Sequence, residues 1–306
     1  MAKILIATVK PFSDAAVAEV KAVFEQAGYD VSVLAKYGSQ QDLVKAVAGV
    51  DGLIIRSDNV DRDVLEAADR LKIVVRAGAG YDNVDLEAAT ERGIVVMNTP
   101  GQNSNAVAEL AMGMMVYMNR NHFTASTGKE LRGKKLGIHA YGYVGRIVGM
   151  IAKGFGMKVY AYDPFIDPVI ITNDGVVHTD DAKTLYSKCE YISLHIPSTA
   201  ETRGSINAEL LGLMPEGATL VNTARKEVVN EADLLKIFQE RPDFRYLSDI
   251  APDCKSELEE KYADRVFFTP KKMGAQTAEA NKNAGVAAAK QIVAFLEKGD
   301  ATFKVN

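Results

Sequence analysis

The chain is poor in cysteine: Cys189 and Cys254 are the only two in 306 residues, far apart and in no C-x-x-C or metal-ligand spacing. That argues against a disulfide framework or a bound metal and suits a reducing cytoplasm. An excess of positive charge is also missing. Lysine and arginine total 36 against 40 aspartates and glutamates, a net charge of -4. Such a balance gives no counterion-release advantage on a phosphate backbone, so nucleic acid is not an expected partner.

Long apolar runs are absent too. The longest, AVAELAMGMMVYM from Ala106 to Met118, contains Glu109 and falls short of the roughly 18 residues a membrane span needs. It reads as a helix buried on most of its faces, with no membrane partner. The opening MAKILIATVKPF carries a short apolar run between Lys3 and Lys10 and no small-residue cleavage site, which reads as a strand and not a signal peptide. No internal repeat and no low-complexity tract is found.

What is present is average for a globular chain: 47% hydrophobic and 25% charged residues, at a length that corresponds to about two domains. Short β-branched runs alternate with amphipathic segments. KILIATV, VSVL, GLIIR, KIVVRAG and IVVMN form a first block of five expected strands ending near Thr99. Pro100 and Gly101 precede the apolar helix, expected over residues 105–119. A second series follows, with KKLGIH, KVYAYD, YISLHIP, ATLVNTA, FRYLSDI and RVFFTP as strands. Strands alternating with helices mean βαβ units and parallel sheets, hence an α/β fold. The last helical segment, EANKNAGVAAAKQIVAFLEKG, could close the second block or return to the first.

The second series opens with a strand, then Ala140-x-Gly142-x-x-Gly145, then a helix. In a dinucleotide-binding turn the first glycine permits the bend, the second lets the backbone approach the pyrophosphate, and the third lets helix and strand pack closely. Alanine in the first place implies a bend whose φ alanine tolerates. Tyr143 and Val144 then fall at the helix start, beside the pyrophosphate, where a helix N-terminus favours anions. Asp163 ends the next strand, where a carboxylate accepts hydrogen bonds from ribose hydroxyls and repels a 2'-phosphate, so the expected cofactor is NAD, not NADP. The glycines of RAGAGYDN, from Arg76 to Asn83, read either as a tight backbone loop or as an anion-holding turn.

RAGAGYDNVD, NTPGQNSNAVAEL, the A-x-G-x-x-G turn, NTARKEVVN, SDIAP and TPKKMGAQTAEA, in that order, resemble the motifs of the D-isomer-specific 2-hydroxyacid dehydrogenases, and most of all those of the branch that acts on a phosphorylated 2-hydroxy acid. The resemblance implies two doubly wound parallel-sheet domains. One is a flavodoxin-like substrate domain, residues 1–103 with a return at 280–306, and the other a Rossmann NAD domain, residues 104–279, with the cofactor in the cleft. It also implies a homodimer supported by the helix after Asn103. Longer members continue into a serine-binding regulatory domain, which the 306 residues do not reach.

Hydride transfer to a 2-hydroxy acid asks for a hydride acceptor, a cation for the carboxylate and an acid/base for the hydroxyl. By the resemblance, Arg225 binds the 2-carboxylate and polarises the carbonyl, a bidentate task that suits a guanidinium. Thr223, Ala224 and Asp249 are expected cofactor contacts, with Asp249 near the nicotinamide amide. Arg56, Ser57, Gly78, Ala79, Gly80 and Asn103 are expected on the substrate side, although Arg56 and Ser57 also read as a polar strand end.

One motif departs from the family. TPKKMGAQT has two lysines where the resemblance implies a histidine, with one residue inserted. Counting from Gly274 selects Lys272 as the acid/base and counting from Pro270 selects Lys271; the glycine side is preferred because it shares its frame with the following helix. The glutamate that would orient a histidine is replaced by Cys254, with Asp253 beside it. The two changes belong together, because a lysine has no tautomer to fix. None of His122, His139, His178 and His195 lies in a motif that would restore the histidine. Three functions stay open: a dehydrogenase of the phosphorylated substrate, one of another 2-hydroxy acid, and an NAD sensor without turnover.

Overall fold

The computed structural model describes residues 1–306. The chain divides into two compact units, Met1–Asn103 with Ala275–Asn306, and Ser104–Gly274. The return to the first unit comes after Gly274, earlier than the boundary after residue 279 expected from the sequence.

In the first unit five strands alternate with four helices: β1 (Lys3–Thr8), α1 (Asp14–Gln26), β2 (Asp30–Ala35), α2 (Gln40–Ala46), β3 (Gly52–Ile55), α3 (Arg62–Ala67), β4 (Ile73–Arg76), α4 (Leu86–Glu91) and β5 (Val95–Asn98). All pairings are parallel, in the order β2-β1-β3-β4-β5, which is the flavodoxin-like order. Strands β1, β3 and β4 are apolar on both faces because both faces are covered, whereas the edge strand β2 is largely exposed. Ile4 and Ile6 join one core with α1 and the last helix, while Leu5 and Ala7 face a second core with α2, α3 and α4. Asp61 and Asp85 accept the N–H groups of Val64 and Ala88, starting α3 and α4.

The last helix of the chain, α12 (Ala278–Lys298), packs on α1. Gly285 makes this approach possible: a Cβ there would lie 2.9 Å from Val20 Cγ2 and 3.3 Å from the Phe12 ring. The tail beyond α12 covers the free edge of β5, where the side chain of Asn306 accepts from Val96 N–H and donates to the carbonyl of Ile94.

The second unit begins with α5 (Ser104–Asn119) and continues through β6 (Lys135–His139), α6 (Tyr143–Gly154), β7 (Lys158–Tyr162), α7 (Pro168–Asn173), β8 (Val177–His178), α8 (Ala182–Lys188), β9 (Tyr191–Leu194), α9 (Ala208–Leu213), β10 (Thr219–Asn222), α10 (Glu231–Glu240), β11 (Arg245–Ser248), α11 (Lys255–Tyr262) and β12 (Val266–Phe268). The parallel sheet runs β12-β11-β10-β9-β6-β7-β8. Strand β8 has no counterpart in the sequence reading, because two residues, Val177 and His178, carry no periodicity.

Helix α5 buries Met112, Met114, Met115 and Met118 within its own unit, in the core it shares with α6. Its apolar character is thus accounted for by packing inside the chain, and Asn105, Glu109 and Gly113 form the exposed side. No helix is long and apolar enough to cross a membrane.

Candidate active site

The glycine turn closes β6. Ala140 stands at φ +78°, the left-handed region that favours glycine. The expectation of a bend with a φ alanine tolerates is therefore corrected: alanine takes the glycine conformation. What overrides the local preference is Gly145, whose missing Cβ would lie 2.3 Å from the Ala140 carbonyl oxygen and 2.9 Å from Ile138 Cγ2. The α6 backbone is pressed against the turn. Gly142 is the opposite case, with nothing within 4 Å of a Cβ, so its backbone faces open space. Tyr143 (62% exposed) and Val144 follow in the first turn of α6, whose N–H groups have no partner in the helix itself.

Asp163, directly after β7, is 9% exposed. Its Oδ2 accepts from Tyr141 N–H at 2.8 Å and its Oδ1 from Phe165 N–H at 2.9 Å. The turn and the carboxylate are thus one hydrogen-bonded piece. A second tie comes from Asp174, which accepts Nε and Nη2 of Arg146 and the Tyr141 hydroxyl. Beneath the turn lies His139, 8% exposed, with Nδ1 3.2 Å from the Tyr186 hydroxyl. Burial holds its imidazole down at about 4, despite Asp163 nearby, so it is neutral at physiological pH.

Strands β10, β11 and β12 end side by side. The buried side chain of Asn222 shapes the first ending, with Oδ1 accepting from Ala224 N–H and Nδ2 donating to the Arg225 carbonyl, both at 2.9 Å. Thr223 and Ala224 are nearly buried, and Arg225 donates through Nη1 to the Ala224 carbonyl. The hydroxyls of Thr223 and Ser198 are buried without a hydrogen-bond partner. Buried polar atoms are rarely left so, and a ligand with donors and acceptors would satisfy them. Ser198 is a candidate the sequence reading missed, since a serine in the loop after β9 carries no pattern.

Asp249, 2% exposed, follows β11. Its Oδ1 accepts from the Thr269 hydroxyl and from Met273 N–H, and its Oδ2 from Gly274 N–H. This residue was expected at the cofactor; the structure ties it to the turn after β12 that carries Lys271 and Lys272, both exposed. Cys254 starts α11, and burial together with Glu231 pushes its thiol up to about 12. It is no substitute for a carboxylate. Asp253 is exposed and pairs with Lys226 Nζ at 2.5 Å, while Glu231 accepts the N–H groups of Asp253 and Cys254.

In the first unit Arg56, Ser57 and the Gly78–Gly80 loop follow β3 and β4. The Arg56 guanidinium lies over the Phe12 ring, donates to the carbonyls of Lys10 and Pro11, and reaches Asn281 Oδ1 on α12. Gly78 is at φ +148°, and a Cβ there would overlap Arg76 Nη1, so the loop is built around that guanidinium. Arg76 Nε donates to the Arg56 carbonyl. Ala79 accepts from Asn98 Nδ2, and Asn103 is half-buried at the end of the first segment.

Parallel α/β sheets hold ligands beyond the carboxyl ends of their strands. The turn after β6, Asp163 after β7, Arg225 after β10, Asp249 after β11 and the lysine turn after β12 all stand at that edge of one sheet. Together with the open face of Gly142, they fit NAD, whose ribose hydroxyls would meet Asp163. These features define a dinucleotide-dependent α/β dehydrogenase.

The chain belongs to the D-isomer specific 2-hydroxyacid dehydrogenases, whose catalytic-domain model matches residues 6–306. It is 38% identical over 277 residues to a D-3-phosphoglycerate dehydrogenase of Methanocaldococcus jannaschii, covering 84% of this chain and 52% of the relative. It is 36% identical over 290 residues to a hydroxypyruvate reductase of Thermotoga maritima, covering 88% and 92%. The chain spans about half the length of the phosphoglycerate dehydrogenase it matches. Among solved structures it resembles an NAD+-bound 3-phosphoglycerate dehydrogenase of Entamoeba histolytica at TM-score 0.90 and 45% identity, covering 100% of this chain and 98% of that one.

Proposed function

We propose that the chain is an NAD-dependent D-3-phosphoglycerate dehydrogenase, interconverting 3-phosphoglycerate and 3-phosphohydroxypyruvate at the entry to phosphorylated serine biosynthesis. The observation that carries the dehydrogenase reading is the row of groups along the carboxyl edge of the second sheet. The phosphoglycerate dehydrogenases among its relatives support the substrate. NAD, when bound, accepts or supplies the hydride at its nicotinamide ring. Arg225 holds the 2-carboxylate and polarises the neighbouring carbonyl. Lys272 Nζ takes the hydroxyl proton during oxidation and returns it during reduction. Arg56, Ser57, Gly78, Ala79, Gly80 and Asn103 are substrate-side contacts in the same proposal, and Asp253 acts through Lys226, beside Arg225. The working form is a cytoplasmic homodimer, with Phe123, 66% exposed after α5, as apolar surface for the partner copy.

A second reading, reduction of unphosphorylated hydroxypyruvate, is favoured by one observation. A substrate phosphate needs cations, and Lys226, Lys271, Arg56 and Arg76 are the ones these motifs offer; Lys226 is engaged by Asp253, and Arg56 and Arg76 by backbone carbonyls of their own unit. Parallel assays of NADH oxidation with 3-phosphohydroxypyruvate, hydroxypyruvate and pyruvate separate the readings. Preference for the first substrate is expected. Turnover of hydroxypyruvate alone selects the second reading, and NADH binding without any turnover selects a sensor.

A further inference from the structure

Two neighbouring lysines in a surface turn would ordinarily be interchangeable, long side chains on a flexible backbone. The backbone here is not flexible in that sense. Asp249 is buried at the carboxyl end of β11, and its two oxygens accept Met273 N–H at 2.8 Å and Gly274 N–H at 2.9 Å. Hydrogen bonds to an ionised carboxylate are the stronger kind. On the other side of the turn, Thr269 is buried, with its hydroxyl 2.9 Å from Asp249 Oδ1 and 3.0 Å from the Lys271 carbonyl oxygen. Lys272 therefore stands between two peptide groups held by the same aspartate–threonine pair. Gly274 completes the arrangement, because a Cβ there would lie 3.0 Å from Asp249 Oδ2 and 3.3 Å from Val107 Cγ2. A side chain there would have to push the carboxylate back by a few tenths of an ångström.

We infer that Asp249 is a positioning residue for the acid/base: its carboxylate sets the frame of the Thr269–Gly274 turn from the glycine side, so that Lys272, and not Lys271, is the lysine presented to the substrate oxygen. The inference rests on the proposal above that a lysine of this turn moves the proton. Asp249 acts through the backbone and takes no part in the proton transfer itself. Asp249→Asn keeps the shape of the side chain but turns an amide N–H2 toward one of the two backbone N–H groups, so one anchor is lost. The turn loosens while Lys272 itself is untouched.

The test is a double-mutant cycle in the full chain, read by single-turnover NADH oxidation with 3-phosphohydroxypyruvate and by NADH affinity from cofactor fluorescence. Asp249→Asn is expected to slow single turnover at saturating NADH by about 10- to 100-fold, the scale of a misplacement near 1 Å, beyond what any change in NADH affinity explains. In a Lys272→Ala background the same substitution is expected to add little, and in a Lys271→Ala background its full effect. Thr269→Val should reproduce the loss and Thr269→Ser should not, which keeps the test alive if Asp249→Asn does not fold. Equal slowing in the wild-type and the impaired Lys272→Ala backgrounds overturns the positioning role alone, as does a loss of NADH affinity that accounts for the slowing. Full turnover by Lys272→Ala overturns the lysine assignment, and the inference with it.

Discussion

The main-chain N–H of Tyr141 donates to Asp163 Oδ2 at 2.8 Å, so the glycine turn and the carboxylate proposed to meet the ribose of NAD are held as one piece. Asp163→Ala should therefore disturb two functions at once. It removes the acceptor for ribose hydroxyls and the charge that excludes a 2'-phosphate. With hydrogen bonds to a charged group contributing about 1.5–3 kcal/mol, NADH affinity should fall by about 10- to 100-fold. NADPH should lose much less, narrowing the preference between the two. Fluorescence titration with both cofactors measures this, and an unchanged NADH affinity would remove Asp163 from the cofactor site.

Ala140 at φ +78° carries the strain of a left-handed L-residue, about 1–2 kcal/mol. Glycine relieves it but is more flexible in the unfolded chain, which offsets about 0.4–1 kcal/mol. The strain is the larger effect, so Ala140→Gly should stabilise the protein by about 0.5–1 kcal/mol. Urea unfolding monitored by circular dichroism is sensitive enough, and a lower midpoint would refute it.

Gly285 poses the reverse contest. Alanine in a helix interior is better than glycine by about 0.8–1 kcal/mol. Against this stands a Cβ only 2.9 Å from Val20 Cγ2 in a closely packed core, where overpacking costs about 1–3 kcal/mol. Gly285→Ala should be destabilising on balance, and Gly285→Val more so. Thermal unfolding of the pair decides it; a stabilised alanine variant would mean that α1 and α12 separate freely.

His139 is neutral in the fold, its value lowered to about 4 by burial. The unfolded chain, with histidine near about 6.5, takes up a proton first as the pH falls. The stability this group contributes is complete above about pH 6.5 and is lost as the pH drops toward about 4, at up to about 1.4 kcal/mol per pH unit. His139→Gln should flatten the fall in urea midpoint between pH 6.5 and 4.5. If the slopes of the two proteins coincide, His139 is not the group responsible.

A lysine ordinarily near pKa 10.4 is charged at neutral pH and ready to donate, but must lose its proton before it can act as a base. Oxidation of the hydroxy acid should accelerate steeply from pH 7 toward 10, while reduction of the keto acid should not. Rates taken where the chemical step limits turnover provide the check. A flat oxidation profile counts against Lys272 as the base.

The alternation of apolar runs and amphipathic helices made both parallel sheets legible, because burial on two faces leaves its mark in every strand. The A-x-G-x-x-G turn and Asp163 were legible for a related reason, since their spacing is set by one strand, one turn and one helix. The same reading missed β8, which consists of Val177 and His178 and has no period to detect. It also misjudged Ala140. Local preference asks for a negative φ, and the contact with Gly145, visible only once α6 lies on β6, decides otherwise.

By itself, then, the sequence determined the fold class, the place of the cofactor turn and the presence of two lysines where a histidine was expected. Tertiary structure alone brought Asp249 under the turn of residues 269–274, paired Asp253 with Lys226, and occupied Arg56 with carbonyls of its own unit. Patterns of burial are short in range and repeat along the chain. The partner of a given side chain is chosen by which strand ends lie side by side, and that choice leaves no local trace.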